Sequence, residues 1–349
     1  MLKIKKQNLK WLIAAGVILL TGALAYFLWL RPTMRQPIGA QLTLPTPVQQ
    51  AEQPAPPANL AAAPIYTPPT PAPDAKPICG NEDQWLVLLV GIDYRGDGYL
   101  YGLADVIRLA RIDFVEMTMD MVALPRDLLV EAPEGRFTAP DPYKINQAYL
   151  FGTPDMGHFA GEGEGAGALA EVIYYNFGLP IDHYAVINFE TFVNAIDAIG
   201  GVTVDLPAPA YDENLGSFSA GEQTLTGQRA LALARIRSGI GDAGRVNHQT
   251  LVMRAALNQL VKPRNLVRLP GLLRDFSGAF LTDLSLEQSL RIGTCFLRNF
   301  DTKNLGTHHP PKELLQAGSH FIPTLNNNAF VYTWDEALVE WVYAALLGE

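Results

Sequence analysis

The sequence predicts an α/β sandwich in which short apolar strands alternate with helices of about a dozen residues. Trp85 to Gly91 is a continuous apolar run ending in glycine, the pattern of a strand buried on both faces. Ala166 to Phe177 has helical spacing and is closed by Gly178 and Pro180, residues that stop helices. The alternation then repeats: His183–Phe189 reads as a strand, Glu190–Ile199 as a helix ending at Gly200-Gly201, and Val202–Leu206 as a strand.

From the N-terminus, Trp11–Leu30 is a run of twenty residues without a charge, and at ~1.5 Å rise per residue such a helix spans a ~30 Å hydrocarbon core. Lys3, Lys5, Lys6 and Lys10 precede it and Arg31 and Arg35 follow. This positive excess is expected to hold residues 1–10 in the cytoplasm and place the rest outside, in a single-pass cell-membrane protein. A cleaved signal peptide is the alternative, because Ala23-Leu24-Ala25 has the spacing of a cleavage site; hydrophobicity continuing through Leu30 favours an uncleaved anchor. Residues 31–78 read as a disordered proline-rich tether, since 13 of the chain's 26 prolines lie between Pro32 and Pro77 and such a stretch cannot bury enough apolar area to offset chain entropy. The body is expected over 79–349, with core motifs in 85–260 and a C-terminal extension in 261–349. Within it Asp105–Phe114 and Met119–Leu124 read as strands, and Thr226 as the cap of a short helix leading into a strand at Leu231–Arg237. Arg245–Leu260 reads as a long helix, and Leu284–Leu297 and Asp335–Leu347 carry further helical patterns.

Of the 349 residues 48% are hydrophobic and 17% charged, which excludes wholesale disorder. Beyond Arg35 the chain has 20 basic against 35 acidic residues, a net of −15. So acidic a body argues against nucleic acid as a partner, because affinity for phosphate backbones comes largely from Lys and Arg. Two cysteines exclude a disulfide-dense scaffold or a Cys-rich metal site. In the oxidising compartment that the anchor implies, Cys79 and Cys295 are expected to pair; two buried free thiols are the alternative.

No G-x-S-x-G, H-E-x-x-H or G-x-x-x-x-G-K-[ST] occurs. The glycine-rich segment Gly161–Gly167 reads as a flexible surface loop, since no strand precedes it and its two glutamates would repel phosphate. His308-His309 reads as a solvated turn. Acidic and basic groups at strand ends are more informative. Asp93 follows the first strand and Asp105 opens the next, so if the strands are neighbours both carboxylates converge at one edge of the sheet. That arrangement suits Mg²⁺ with water and phosphate oxygens completing its shell, although on spacing alone two turn caps explain it as well. Arg235 and Arg237 alternate on the expected strand, so both leave one face while Ile236 packs behind. Asp242 lies just before a helix on which Arg245 and Gln249 share a face at i, i+4. Guanidinium forks match phosphate oxygens bidentately, and a helix N-terminus adds partial positive charge; a surface salt bridge is the alternative for any one of these arginines.

These residues resemble the LytR–CpsA–Psr family of bacterial envelope proteins. The resemblance runs from about Leu89 to Leu260 through Leu-Val-Gly-Ile-Asp-Tyr-Arg95, Asp105 with Arg-Ile-Asp113, Leu-Pro-Arg-Asp127, Lys-Ile-Asn146, Gly-Leu-Pro-Ile-Asp-His-Tyr184, Leu-Thr-Gly-Gln-Arg-Ala-Leu231 and Arg-Ile-Arg237, followed by Asp242, Arg245 and Gln249. It implies a three-layer α/β/α sandwich with a mixed central sheet that holds a polyprenyl chain in an apolar tunnel and the lipid's pyrophosphate at its mouth. It also implies Mg²⁺-dependent transfer of a glycopolymer, through its phosphate, from a polyprenyl-pyrophosphate carrier to a hydroxyl of peptidoglycan or another envelope acceptor. By resemblance Asp93 and Asp105 match the family's magnesium-associated aspartates. Arg126, Lys144, Arg235, Arg237, Arg245 and Gln249 match positions that bind or stabilise the pyrophosphate, and Asp242 belongs to the same cluster.

Where the family has Arg-Ser-Asp this chain has Leu103-Ala104-Asp105, so one expected cation is missing. Arg108 is an odd number of residues from Asp105 and should point to the opposite face of a regular strand, while Arg111 has the right parity but lies ~20 Å along it. The site is therefore expected to lean on Arg95, Arg126 and Lys144. A non-catalytic or hydrolytic binder of prenyl pyrophosphates is the competing reading. A transcriptional attenuator, a role also attached to the family's name, is disfavoured by a cytoplasmic tail of about ten residues.

Overall fold

The computed structural model describes residues 31–44, 66, 75–93, 102–239, 241–268, 271 and 280–348. The chain runs β1 (Gln84–Ile92), β2 (Ala104–Asp113), β3 (Thr118–Leu124), β4 (Leu129–Val130), β5 (Tyr143–Lys144), α1 (Ile145–Phe151), α2 (Glu164–Phe177), β6 (His183–Asn188), α3 (Phe189–Ala198), β7 (Val202–Leu206), β8 (Ala210–Asp212), β9 (Gly216–Phe218), β10 (Gly221–Leu225), α4 (Gly227–Arg235), α5 (Gly241–Leu260), β11 (Phe280–Thr282), α6 (Leu286–Asn299), β12 (Leu305–His308), β13 (Gln316–Ile322), β14 (Asn327–Thr333) and α7 (Glu336–Leu346).

Six strands form the central sheet in the order β11-β6-β1-β2-β3-β12. Strand β1 pairs parallel with β6 and antiparallel with β2, and β12 pairs parallel with β3, so the sheet is mixed. The apolar run of β1 is buried on both faces as its sequence predicts. Leu86, Leu88, Val90 and Ile92 enter the largest core cluster with α1, α2 and α7. On the opposite face Trp85 and Val87 pack with Phe114, Ile292 and Phe296 beneath α6, and α3, α4 and α5 cover the rest. Those three helices share a separate core with β7 and β10, built on Ile196, Val202, Leu225, Leu233 and Val252. Helices on both faces of a mixed sheet make the architecture an α/β fold of three layers.

Several expectations change. Leu231–Arg237 is not a strand: α4 runs through Arg235, capped by the Thr226 hydroxyl accepting from the Arg229 amide. Its Ala-Leu-Ala-Leu-Ala stretch alternates in size, yet Ala and Leu are among the strongest helix formers. Ile236, with φ −59° and ψ 130°, ends the helix and is fully buried, and because Arg235 is helical the expected Arg-Ile-Arg strand alternation does not form. The C-terminal third, expected to be mainly helical, supplies both edge strands of the sheet and the hairpin of β13 and β14. The segment Gly161–Gly167 is packed: Gly163 (φ 86°) begins α2 in a left-handed conformation, and a Cβ on Gly167 would lie 2.0 Å from the Glu162 carbonyl oxygen. His308 closes β12, its Nε2 3.3 Å from an Asp120 carboxylate oxygen.

Part of the segment read as tether also docks on the body. The Ile38 and Gly39 amides donate to the Leu284 and Thr282 carbonyls, the Tyr184 hydroxyl donates to the Ala40 carbonyl, and buried Tyr66 packs edge-on against Tyr343. Cys79 and Cys295 form the expected disulfide, joining the start of β1's approach to α6. The apolar run Trp11–Leu30 lies outside the described residues, among which no helix is long and apolar enough to cross a membrane.

Candidate active site

Between the sheet and its α3–α4–α5 cover lies a cavity of about 480 Å³. Leu89, Ala185 and Ile187 form its floor, Phe192, Ala195 and Ile196 line it from α3, and Val252, Met253, Ala256 and Leu260 extend the apolar wall down α5. Small side chains on facing elements leave the space open, and the cover can stand off the sheet because it has its own core. The volume falls in the range of ligand pockets, ~300–1,000 Å³.

The polar lining gathers at one end. Asp105, Arg235, Arg245 and Gln249, all expected at the site, border the cavity together with Arg108 and Asn188, which were not. Arg235 lies over the Phe189 ring, 5.2 Å from its centroid. Arg245 and Gln249 share the first turns of α5 as their i, i+4 spacing predicts, both on the cavity side. Asn188 ends β6 and caps α3: its side-chain oxygen accepts from the Thr191 amide at 2.8 Å. Its buried Nδ2 finds no acceptor among the described residues.

The place of Arg108 corrects the strand-parity expectation. Gly91 pairs with Val106 but Ile92 pairs with Ala104, so Asp105 is the extra residue of a β-bulge. The bulge shifts the phase by one residue, and Asp105, Val106 and Arg108 all border the same cavity. Arg108 is 3% exposed. Burial and the neighbouring positive Arg245 push its guanidinium down to about 10, where it remains charged at neutral pH. Arg111 faces the other side of the problem too: it is spent on Asp113, at 2.9 Å, and on Gln84.

A second group adjoins the mouth. Arg126 pairs with Asp105 and approaches Asp127 at 3.5 Å, and Lys144 Nζ donates to Asp127 at 2.8 Å. Arg126 and Lys144 therefore stand outside the cavity lining, linked to it through Asp105. Asp93 sits at the same end of the sheet as Asp105, across the β1–β2 turn. Its carboxylate accepts from the Leu103 amide at 3.1 Å, so it caps that turn as the alternative reading allowed. Arg237 follows buried Ile236 and is not part of the cavity lining. Arg95 lies outside the described residues, and Asp242 occupies the first turn of α5 with a side chain that is not described.

Among the described residues no three His, Cys, Asp or Glu side chains cluster as a metal cage. Magnesium does not require one, because it is usually held by one or two carboxylates with waters and substrate phosphates. Asp93 and Asp105 each engage one carboxylate oxygen, with the Leu103 amide and the Arg126 guanidinium, and two carboxylates at one end of the sheet fit that limited donor set.

Fold and site together define an α/β protein with an apolar pocket and a charged mouth, the shape of a receptor for an amphiphile with an anionic head. The family model of the LytR_cpsA_psr family matches residues 67–342, and the chain belongs to that family. It is 35% identical over 210 residues to the polyisoprenyl-teichoic acid–peptidoglycan teichoic acid transferase TagU of Oceanobacillus iheyensis, a match covering 60% of this chain and 61% of that protein. The chain thus spans about three-fifths of that relative's length. With the TagU of Bacillus subtilis it shares 28% identity over 261 residues, 74% of this chain and 75% of that one. The crystal structure of B. subtilis TagV superposes with a TM-score of 0.59 at 24% identity over 77% of this chain and 98% of that chain, which supports the fold.

Proposed function

We propose that the protein is an extracytoplasmic, membrane-anchored phosphotransferase that moves a glycopolymer from a polyprenyl-pyrophosphate carrier to a hydroxyl of peptidoglycan or another envelope acceptor. The observation that carries the reading is the apolar cavity ending at Asp105, Arg235, Arg245 and Gln249. An isoprenoid chain is apolar along its length and its pyrophosphate is polyanionic, so one molecule satisfies both ends of the pocket. The names of the TagU relatives support the same donor and acceptor classes. The anchor rests on the uncharged run Trp11–Leu30, and the Cys79–Cys295 disulfide supports an oxidising compartment.

Phosphoryl transfer depends more on positioning and on neutralising charge than on a protein nucleophile. In this reading the Arg235 and Arg245 guanidiniums and the Gln249 amide grip the pyrophosphate oxygens, while the apolar walls exclude water from the lipid side. The acceptor oxygen bonds to the phosphorus that carries the polymer, the bond from that phosphorus to the bridging oxygen breaks, and polyprenyl phosphate leaves. In this reading the hydroxyl proton passes to one of the two aspartates, Asp93 or Asp105. Magnesium, held by Asp93 and Asp105, would supply further neutralisation of phosphate charge. The pairing of Arg126 with Asp105 and of Lys144 with Asp127 makes these cations positioning groups for the mouth.

The replacement of the family's arginine by Leu103 keeps the hydrolytic or non-catalytic reading in view. Incubating the detergent-solubilised protein with a labelled lipid-linked polymer and a peptidoglycan acceptor separates the two. Label on the acceptor supports transfer; polymer phosphate released into water, or no reaction with lipid retained, refutes it.

A further inference from the structure

Arg108 presents an electrostatic problem that the described residues do not solve. Its Nη2 lies 3.4 Å from the Val246 carbonyl and the Gln249 Oε1, and both terminal nitrogens lie 3.4 Å from the Thr250 hydroxyl. All three acceptors are neutral, and every contact is at the long limit of a hydrogen bond. Among the described residues no carboxylate forms an ion pair with it, and the positive charge of buried Arg245 acts against its own. A charge held out of water with no counter-ion is costly, and a second like charge beside it adds to the cost. An anion occupying the cavity would remove both penalties.

The depth of Arg108 indicates which part of an anion it meets. Along α5 the cavity lining passes from Arg245 through Gln249 to Val252, Met253 and Ala256, from polar to apolar. Arg108 touches α5 at Val246, Gln249 and Thr250, at the level where that change occurs. Asp105 stands nearer the mouth, at the bulge that opens β2. A prenyl pyrophosphate with its chain among the apolar residues must place its first phosphate, the one esterified to the lipid, at this boundary.

We infer that Arg108 binds the lipid-proximal phosphate of the donor and stabilises it as the leaving group. This rests on the phosphotransferase reading above and deepens it. When the acceptor oxygen bonds to the outer phosphorus and the bridging P–O bond breaks, the electron pair stays on the bridging oxygen and departs with the lipid phosphate. A guanidinium fixed beside that phosphate offsets charge where it develops. The same contact selects phosphorylated lipids over free prenyl alcohols of equal apolar length.

The test uses the full chain in detergent with geranylgeranyl pyrophosphate, geranylgeranyl monophosphate and geranylgeraniol as probes. Arg108→Met keeps the length of the stem and removes the charge. It should weaken binding of both phosphorylated probes by about ten- to a hundredfold, the value of a charge-assisted contact, and leave geranylgeraniol unchanged. Its melting temperature without ligand should not fall, because a buried charge with no carboxylate partner among the described residues has been replaced by an apolar chain. Arg108→Lys should recover most of the lost affinity. Transfer by Arg108→Met should lose kcat beyond the loss explained by KM. Unaltered monophosphate binding in Arg108→Met overturns the inference; equal loss of all three probes with a lowered melting temperature also overturns it, in favour of a structural role. If Arg108→Met does not fold, Arg108→Gln, which can still meet the Thr250 hydroxyl, takes the same comparison. Wild-type protein that binds geranylgeraniol but neither phosphorylated probe refutes the phosphotransferase reading itself, a result distinct from any difference between variants.

Discussion

The two faces of the central sheet come from the same strands yet are finished differently. Leu86, Leu88 and Ile92 of β1 vanish into a core shared with α1, α2 and α7, whereas Leu89 and Gly91 of the same strand border a cavity, and Val90 between them meets both. On β6 the split repeats, Tyr184 and Val186 in the core and Ala185 and Ile187 against the void. One face is therefore packed along its length, whereas the other is packed beneath α6 and open beneath α3, α4 and α5. What permits the difference is the independent core of the cover, in which β7 and β10 complete the packing of α3, α4 and α5. A cavity roofed by elements that depended on the sheet alone would tend to collapse or lose its roof.

Chemistry at the open face gives the largest expected effect. Asp93→Ala or Asp105→Ala should abolish Mg²⁺-dependent turnover while the protein still folds, since each removes a proposed ligand rather than a core side chain, the melting temperature falling only by what the lost turn cap of Asp93 or the lost Arg126 partner contributes. Retained activity in both variants would remove the metal from the proposal. Arg235→Ala or Arg245→Ala should each lower transfer by roughly ten- to a hundredfold, from ~1.5–3 kcal/mol per charge-assisted contact. Wild-type rates in both would leave these arginines as structural salt-bridge partners only.

Stability should separate the faces more directly. Leu88 is fully buried in the packed core, so Leu88→Ala should cost ~2–5 kcal/mol in urea unfolding. Leu89, its neighbour, already borders empty space, and Leu89→Ala should cost less than ~2 kcal/mol. Equal losses would mean that the two faces are packed alike. The converse change, Ala195→Leu, adds volume to the void and should block geranylgeranyl pyrophosphate binding with little change in stability. Undiminished binding would place the lipid elsewhere.

Those contrasts also explain which features were legible in the sequence. Strand β1 announced itself because both of its faces are buried, and α2 because Gly178 and Pro180 close it. Asp93 and Asp105 could be brought to one end of the sheet from strand ends alone. The bulge at Asp105 could not, because it exists only in the register between β1 and β2, and with it went the side on which Arg108 lies. Edge strands β11 and β12, of three and four residues, owe their form to partners far away in sequence and leave almost no periodic signal. Asn188, read as the interior of a strand ending at Phe189, in fact caps α3 with its side-chain oxygen, and the Nδ2 of the same amide, without an acceptor among the described residues, becomes visible only beside the cavity.

The smallest expected effect tests whether the cover unfolds apart from the packed face. His248 lies on α5, 9% exposed, and burial pushes its imidazole below the ordinary 6.5 despite an opposing contribution from the Leu233 backbone. The unfolded chain therefore takes up this proton before the folded one as pH falls. Stability from keeping His248 neutral is full above about pH 7 and declines as pH drops through 6.5, because the unfolded state then binds more protons. Hydrogen-exchange protection of α4 and α5 should consequently fall between pH 7.5 and 5.5 by more than that of α2, and His248→Gln should shrink this excess while sparing α2. A drop shared equally by α2, α4 and α5 and unaffected by the substitution would show that cover and packed face open as one unit, and that the cavity is not roofed by a separately stable element.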